Sequence, residues 1–312
     1  FSREHQSVIA GKLSYYDHLN KDDVVTSPLL RRNIHRIEKG LIMRPMRLSF
    51  GGDYIIETVE EYLRILNLPN FSNKEKLWAG DVLREYYSKV ELVGGIVDAR
   101  RSLENIGFFD TVDSQNSTSL KNCPYPRKSV VRSNIKHEEF LRLCQQRRSV
   151  RWFKPEPVNE LKLRAAIDTA TLAPSACNRQ PYRFTLLIGE DAQEVAGFAM
   201  GTKGFSQNIP ALIVLIGDLS AYPYERDRHI IYIDTSLAAM SFMLALETLG
   251  LSSCPINWPD IEIREKKIAS RLNLLQHERP VMLMAVGEAL EEGGIPFSQK
   301  NSSEHLMEKI RK

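Results

Sequence analysis

Cysteine is scarce in this chain: four residues in 312, at positions 123, 144, 177 and 254. No two of them share the C-x-x-C spacing of a zinc or thioredoxin-like site, so the sequence predicts no bound metal. So few cysteines in a chain of this length point to a reducing compartment. An excess of one charge is also missing. The 42 basic and 39 acidic residues leave a net charge of +3, too little to make nucleic acid the general partner. Long apolar runs are absent as well. A stretch such as "ALIVLI" (211–216) is far short of the ~20 residues of a membrane span, and no charged-then-apolar leader opens the chain. Together these features predict a cytoplasmic protein with no membrane partner. Its first residue, Phe1, reads as a start inside a longer natural chain. No G-x-G-x-x-G follows a strand and no G-x-x-x-x-G-K-[ST] occurs, so neither the dinucleotide nor the P-loop way of holding phosphate applies. There is no internal repeat and no low-complexity tract.

What remains is a chain with 43% apolar and 26% charged residues, the balance of an ordinary globular protein. Its two halves differ in rhythm. Residues 1–110 read as a helical N-terminal extension. "SPLLRRNIHRIEKGLIM" (27–43) places Leu30, Ile34, Ile37 and Leu41 on one helical face, with Ser27 as N-cap and Pro28 in the first turn. "GGDYIIETVEEYLRIL" (51–66) repeats the device with Asp53 as the expected cap, and a third helix is expected over 73–91. The string "HRIEKGL" (35–41) sets His35 and Glu38 one turn apart. That spacing suits a surface hydrogen bond and, less commonly, a substrate-pocket pair. Residues 111–136 begin with a Ser-, Asn- and Asp-rich stretch and read as a linker.

Over 137–312, short apolar runs ending in glycine replace the helical pattern: "FTLLIG" (184–189), "ALIVLIG" (211–217) and "VMLMAVG" (281–287). They predict buried strands. Helices are expected at 137–147 and 159–172. "DTSLAAMSFMLALETLG" (234–250) reads as a buried helix, apolar on nearly every side, capped by Asp234 and ended by Gly250. The fold class is therefore α+β, a layered domain with a central sheet.

The chemistry concentrates in "RRSVRWF" (147–153) and "APSACNRQPYRF" (173–184). Arginine forks pair bidentately with phosphate and stay charged at any working pH. The amides of Asn178 and Gln180 can hold a heteroaromatic edge. A phosphate at one end and a polar ring at the other describe a nucleotide-like cofactor. With nine basic and two acidic residues over 121–151, an acidic partner is the competing use of the arginines.

The segment 137–312 resembles the nitroreductase family of FMN flavoproteins. "RRSVRWF" is similar to its phosphate-binding start, and "APSACNRQPYRF" to its P-S-x-x-N-x-Q-P-W loop, with Tyr182 at the usual Trp position. "IDTSLAAMSFMLALETLGLSSCPINW" is similar to the long dimer-core helix and the flavin-contacting loop after it. The resemblance implies a nitroreductase-like fold with a central, mainly antiparallel sheet flanked by helices, and a homodimer with its flavin sites at the subunit interface. It implies that Arg147, Arg148, Ser149 and Arg151 hold the FMN phosphate and ribityl chain. Asn178 and Gln180 would bind the flavin ring, with Pro174, Ser175 and Ala176 approaching it from the partner subunit. Ser252, Ser253, Cys254 and Pro255 would line the other side of the ring, and Lys300 stands where the family has a phosphate-binding arginine. The implied activity is hydride transfer from NADH or NADPH, by way of flavin N5, to a small organic acceptor such as a nitroaromatic or quinone. Oxidative flavin chemistry and a non-catalytic binding role are the alternatives. The iodotyrosine branch has an acidic residue where Gln180 stands, and its Glu-Tyr-Lys substrate clamp has no counterpart here, which disfavours dehalogenation of iodotyrosine. Cys177 and Cys254 read as small packing residues beside the ring rather than redox groups.

Overall fold

In the computed structural model, residues 2–18, 21–110 and 122–310 are described. Of the expected linker, residues 111–121 lie outside them. The rest runs mostly exposed, with one short turn at Arg127–Ser129.

The domain's centre is a four-stranded sheet, antiparallel throughout, made of β1 (Tyr182–Ile188), β2 (Ala211–Asp218), β3 (Ser252–Asn257) and β4 (Glu278–Gly287) in the order β1-β2-β4-β3. The continuous apolar run of β2 is explained by burial on both faces. Leu212, Val214 and Ile216 join Val195, Ala196 and Ile268, from α8 (Glu190–Phe198) and α10 (Glu262–Leu272), in one core. Ile213 and Leu215 join Leu163, Ala166, Phe242 and Leu246 on the other side, from α7 (Glu160–Ala170) and α9 (Ile230–Thr248). Period-two alternation thus divides one strand between two cores. The segment Ser252–Asn257, expected as a loop, is instead the strand β3. Its Pro255 is tolerated because β3 is an edge strand: β4 pairs along one side, and on the other the described residues add only a bridge at Ser253, short of Pro255.

Before the sheet come α1 (Ser2–His18), α2 (Pro28–Leu41), α3 (Ile55–Leu66), α4 (Asn73–Tyr87) and α5 (Gly95–Glu104). Leu30, Ile34, Ile37 and Leu41 of α2 point into a separate core with Ile55, Val59, Leu83 and Leu103. Ser27 caps α2 through the Leu30 N–H. Asp53 does not cap α3. That helix starts instead from a turn in which the Gly51 carbonyl, at a φ of 82°, accepts from both Tyr54 N–H and Ile55 N–H. A left-handed φ at this point suits glycine. Helix α1 leaves this core altogether. Val8 packs on Leu219, Ala221, Tyr222 and Ile231, and Arg3 pairs with Asp260 at 2.8 Å.

Helix α9 also departs from expectation. It begins at Ile230, a turn before Asp234, so Asp234 is an interior residue rather than a cap. Its far end matches the pattern: Gly250, at φ 73°, lets Leu251 N–H reach back to the Leu246 carbonyl at 2.9 Å. Nor is the helix buried all round. Ile233, Leu237 and Met240 are exposed along one stripe, while Ala238, Phe242 and Leu246 are buried against the sheet. By length and composition Glu225–Thr248 would suffice to cross a membrane, and half of its most apolar window is packed inside the fold.

Candidate functional site

Helix α6 (His137–Gln146) ends at Arg147, where the chain becomes extended. Ser149 forms a parallel bridge with Ser253 on β3, and Val150 N–H donates to the Ser253 carbonyl at 3.1 Å. Asn208 Nδ2 fixes the strand further by donating to the Arg151 carbonyl at 2.7 Å. The two sequence segments expected to share a ligand, 147–151 and 252–255, therefore lie side by side.

Among the described residues, Arg147, Arg148 and Arg151 form no ion pair. Arg148 donates to the carbonyls of Pro296 and Phe297, and the Arg151 guanidinium stands 5.7 Å from the Phe205 ring centre. Ser253 is fully buried, yet its Oγ has no hydrogen-bond partner. Three guanidiniums outside any ion pair among the described residues, on the segment bridged to an unpaired buried hydroxyl, form a donor set that fits an anionic, hydroxyl-bearing group. Cys254 is buried, and burial pushes its thiol above the usual range, which makes it an inert packing residue at neutral pH. Lys300 lies exposed on the C-terminal tail, and its ammonium forms no hydrogen bond or ion pair with another described residue.

The second half of the predicted site is the loop 174–180. It is held in an unusual conformation: Cys177, Asn178 and Gln180 have φ of 54°, 54° and 52°. Each such non-glycine residue costs on the order of 1 kcal/mol and needs outside support. The support is visible. Ala176 N–H donates to Asp234 Oδ2 at 2.9 Å, and Gln180 N–H to Ser175 Oγ at 3.1 Å. Gln180 Nε2 donates to the Thr171 carbonyl at 2.7 Å. From α2, Arg31 Nε donates to the Asn178 carbonyl at 2.7 Å, and its Nη2 to Gln180 Oε1 at 3.1 Å. Both ends of the Gln180 amide are thus engaged inside the chain, while the Asn178 amide makes no hydrogen bond among the described residues.

Arg31 is itself braced by Glu75 at 2.9 Å, and Glu75 accepts from Ser27 N–H and Thr26 Oγ1. Ser27 Oγ donates in turn to Glu61 at 2.6 Å. A buried polar chain therefore runs from the helical core to the loop. Beneath the loop, the Arg179 guanidinium lies 4.8 Å from the Tyr222 ring centre, and Tyr222 Oη donates to Asp234 at 3.5 Å. Burial raises the Asp234 pKa above the ordinary carboxylate value, against the opposing pull of the Ala176 N–H. Nothing in the sequence singles out Arg31 or Glu75, because their partners lie 44 to 149 positions away. Asp234 was visible but assigned to the wrong task. His35 and Glu38 form a surface pair at 3.5 Å, with Glu38 also accepting from Trp78 Nε1.

In one copy of the chain the two halves do not meet. The loop hangs on Asp234, near the start of α9. Arg147 follows Gln146, which donates to Glu247 near the helix's end. Thirteen residues separate those anchors, about 20 Å at 1.5 Å per residue.

Residues 144–202 and 191–288 match the sequence profile of the Nitroreductase family. This part of the chain belongs to the nitroreductase family. The YdgI protein of Bacillus subtilis (strain 168), provisionally named an NAD(P)H nitroreductase, is 28% identical over 198 residues, covering 51% of this chain and 92% of its own length. Human iodotyrosine deiodinase 1 is 24% identical over 219 residues, covering 59% of this chain and 71% of that protein. A solved nitroreductase-family protein from Streptococcus pneumoniae TIGR4 is 25% identical, with a TM-score of 0.48, over 55% of this chain and all of that one. The nitroreductase match begins at α6 and leaves α1–α5 outside it, so Arg31 and Glu75 support the loop from beyond the family's own segment.

Proposed function

We propose that the protein is an FMN-dependent oxidoreductase that moves reducing equivalents from NADH or NADPH to a small organic acceptor. The observation that carries this reading is the bridge between Ser149 and Ser253, which sets three unpaired arginines beside an unpartnered buried hydroxyl within a nitroreductase-family segment. Arg147, Arg148 and Arg151 hold the phosphate, and Ser149 and Ser253 take up the ribityl hydroxyls. Ser252, Cys254 and Pro255 line one side of the ring. FMN, when bound, supplies the hydride acceptor and donor that no side chain of this protein offers.

The loop 174–180 comes from a second copy. A two-fold axis crossing α9 midway between Asp234 and Glu247, near Met240, brings one copy's loop to the other's arginines. The exposed stripe Ile233, Leu237 and Met240 supplies the apolar contact along that axis. Asn178, whose amide is free, then hydrogen-bonds the ring. Pro174, Ser175 and Ala176 approach it through backbone, and Gln180 acts by holding the loop in shape. Lys300 adds charge near the phosphate without an arginine's fork.

The test is an absorbance scan of the purified protein after incubation with FMN and removal of the excess, repeated anaerobically with NADPH and with NADH. A retained flavin band that bleaches with either donor is expected. Failure to retain flavin after reconstitution would overturn the reading, and a retained band that neither donor bleaches would remove the NAD(P)H-dependent part.

A further inference from the structure

The end of α2 and the connection from it to α3 border a half-open cavity of about 610 Å³ that the proposed flavin site does not use. Arg36, Lys39, Arg44 and Arg47 ring it, over an aromatic floor of Phe50 and Tyr54. No carboxylate lines it, and none of the four cations forms an ion pair among the described residues. Like charges gathered round one concavity repel one another, and an anion placed among them relieves that repulsion.

The floor is rigid. Tyr86 Oη donates to the Phe50 carbonyl at 2.5 Å, and the two rings pack edge to face. The Phe50 ring lies so close to α2 at Gly40 that any side chain there would collide with it. Tyr54 is buried, with the Arg36 guanidinium stacked 3.5 Å from its ring centre. Arg36 is thereby oriented before any ligand arrives. Lys39, Arg44 and Arg47 stand exposed at the mouth. Guanidinium forks at the rim suit a phosphate, and an apolar aromatic floor suits a planar or hydrocarbon body.

We propose that this cavity binds a small organic phosphate, with its anion among Arg36, Arg44, Arg47 and Lys39 and its carbon body against the half-buried Phe50 ring, beside the Arg36-covered Tyr54. The site lies outside the nitroreductase-family segment and does not depend on the flavin reading.

The experiment is calorimetric titration of the full chain with ADP and with inorganic pyrophosphate, each with and without saturating FMN. Saturable ADP binding that is unaffected by FMN is expected, with pyrophosphate weaker because it cannot use the floor. The double variant Arg44→Ala/Arg47→Ala should weaken ADP binding by tenfold or more while leaving its unfolding curve and flavin retention those of the parent. Lys39→Ala, on the exposed face of α2, should weaken it several-fold. ADP binding of undiminished strength in the double variant would overturn the proposal, as would the absence of saturable binding by either probe. Competition by FMN would assign the ADP to the arginines at 147–151 instead. Binding of RNA or acidic vesicles without ADP would show a general polyanion surface, and would equally refute it.

Discussion

Asp234 sits where a hydrogen-bond acceptor is needed and a charge is costly. Its carboxylate takes the Ala176 N–H at the start of the strained loop, but burial raises its pKa above the usual 3.8. The folded state therefore binds the proton more tightly than the unfolded chain, and this group's contribution to stability falls as pH rises from the ordinary carboxylate value through the raised one. Asp234→Asn keeps an oxygen for Ala176 and removes the charge. We expect it to match or exceed the parent's stability at about pH 7 and to show a smaller difference in stability between measurements at about pH 4 and about pH 7. Asp234→Ala leaves the Ala176 N–H unpaired and should cost about 1–3 kcal/mol. Urea denaturation at the two pH values separates these cases. An Asn variant that loses stability at neutral pH would show that the charge is needed opposite Arg179.

Among the elements, α2 has two tasks. Its apolar face builds the helical core, and its Arg31 reaches out to fix the 174–180 loop. Arg31→Ala removes two of the donors that hold Asn178 and Gln180, and leaves the Glu75 carboxylate buried without its cation. Breaking such a pair costs on the order of 3 kcal/mol. The expected outcome is a lower unfolding midpoint together with faster proteolytic cleavage within 174–180. Arg31→Lys keeps the charge against Glu75 but cannot fork to both loop acceptors, so it should recover much of the stability and little of the protease resistance. If cleavage is unchanged in the alanine variant, the bonds to Asp234, Ser175 and Thr171 suffice to hold the loop.

For the whole molecule, the deciding feature is that the anchors of the two halves of the proposed site, Asp234 and Glu247, lie about 20 Å apart along α9. On the proposed reading a complete site requires two copies. Leu237→Arg, in the middle of the exposed stripe, places a charge in the proposed contact without touching the sheet-facing residues. Light scattering of the parent should report a dimer and of the variant a monomer, and the monomer should fail to retain FMN. A monomeric variant that keeps flavin at parental affinity would show that one copy suffices. The helical extension is tied to the rest through its first two helices. Helix α1 packs on the 219–231 stretch, and α2 holds the loop through Arg31.

How much of this was legible depends on whether the determinant is local. Helix α2 was readable because a Ser27 cap, a first-turn proline and a 3.6-residue apolar period all lie within one stretch of chain. Strands β2 and β4 were readable because burial on both faces demands continuous apolar runs, and the half-buried edge strand β1 because its own run, "FTLLI", is apolar too. Strand β3 was not, since "SSCPIN" has little apolar content and carries a proline. Only its position beside β4 makes it a strand. The start of α9 was misplaced because an aspartate before an apolar run looks the same whether it caps a helix or reaches across to another segment.

The sequence by itself thus determined the fold class, the strands that need two-sided burial and the places, 147–151 and 173–184, where the residues of the proposed site are concentrated. Those depend on residue type and short spacing. Tertiary structure decided that 147–151 pairs with 252–255, that Arg31 and Glu75 brace the loop and that Asp234 serves Ala176 rather than its own helix. It also set the two site segments at opposite ends of α9. These are contacts between residues tens to hundreds of positions apart, and they exist only once the sheet and helices have packed.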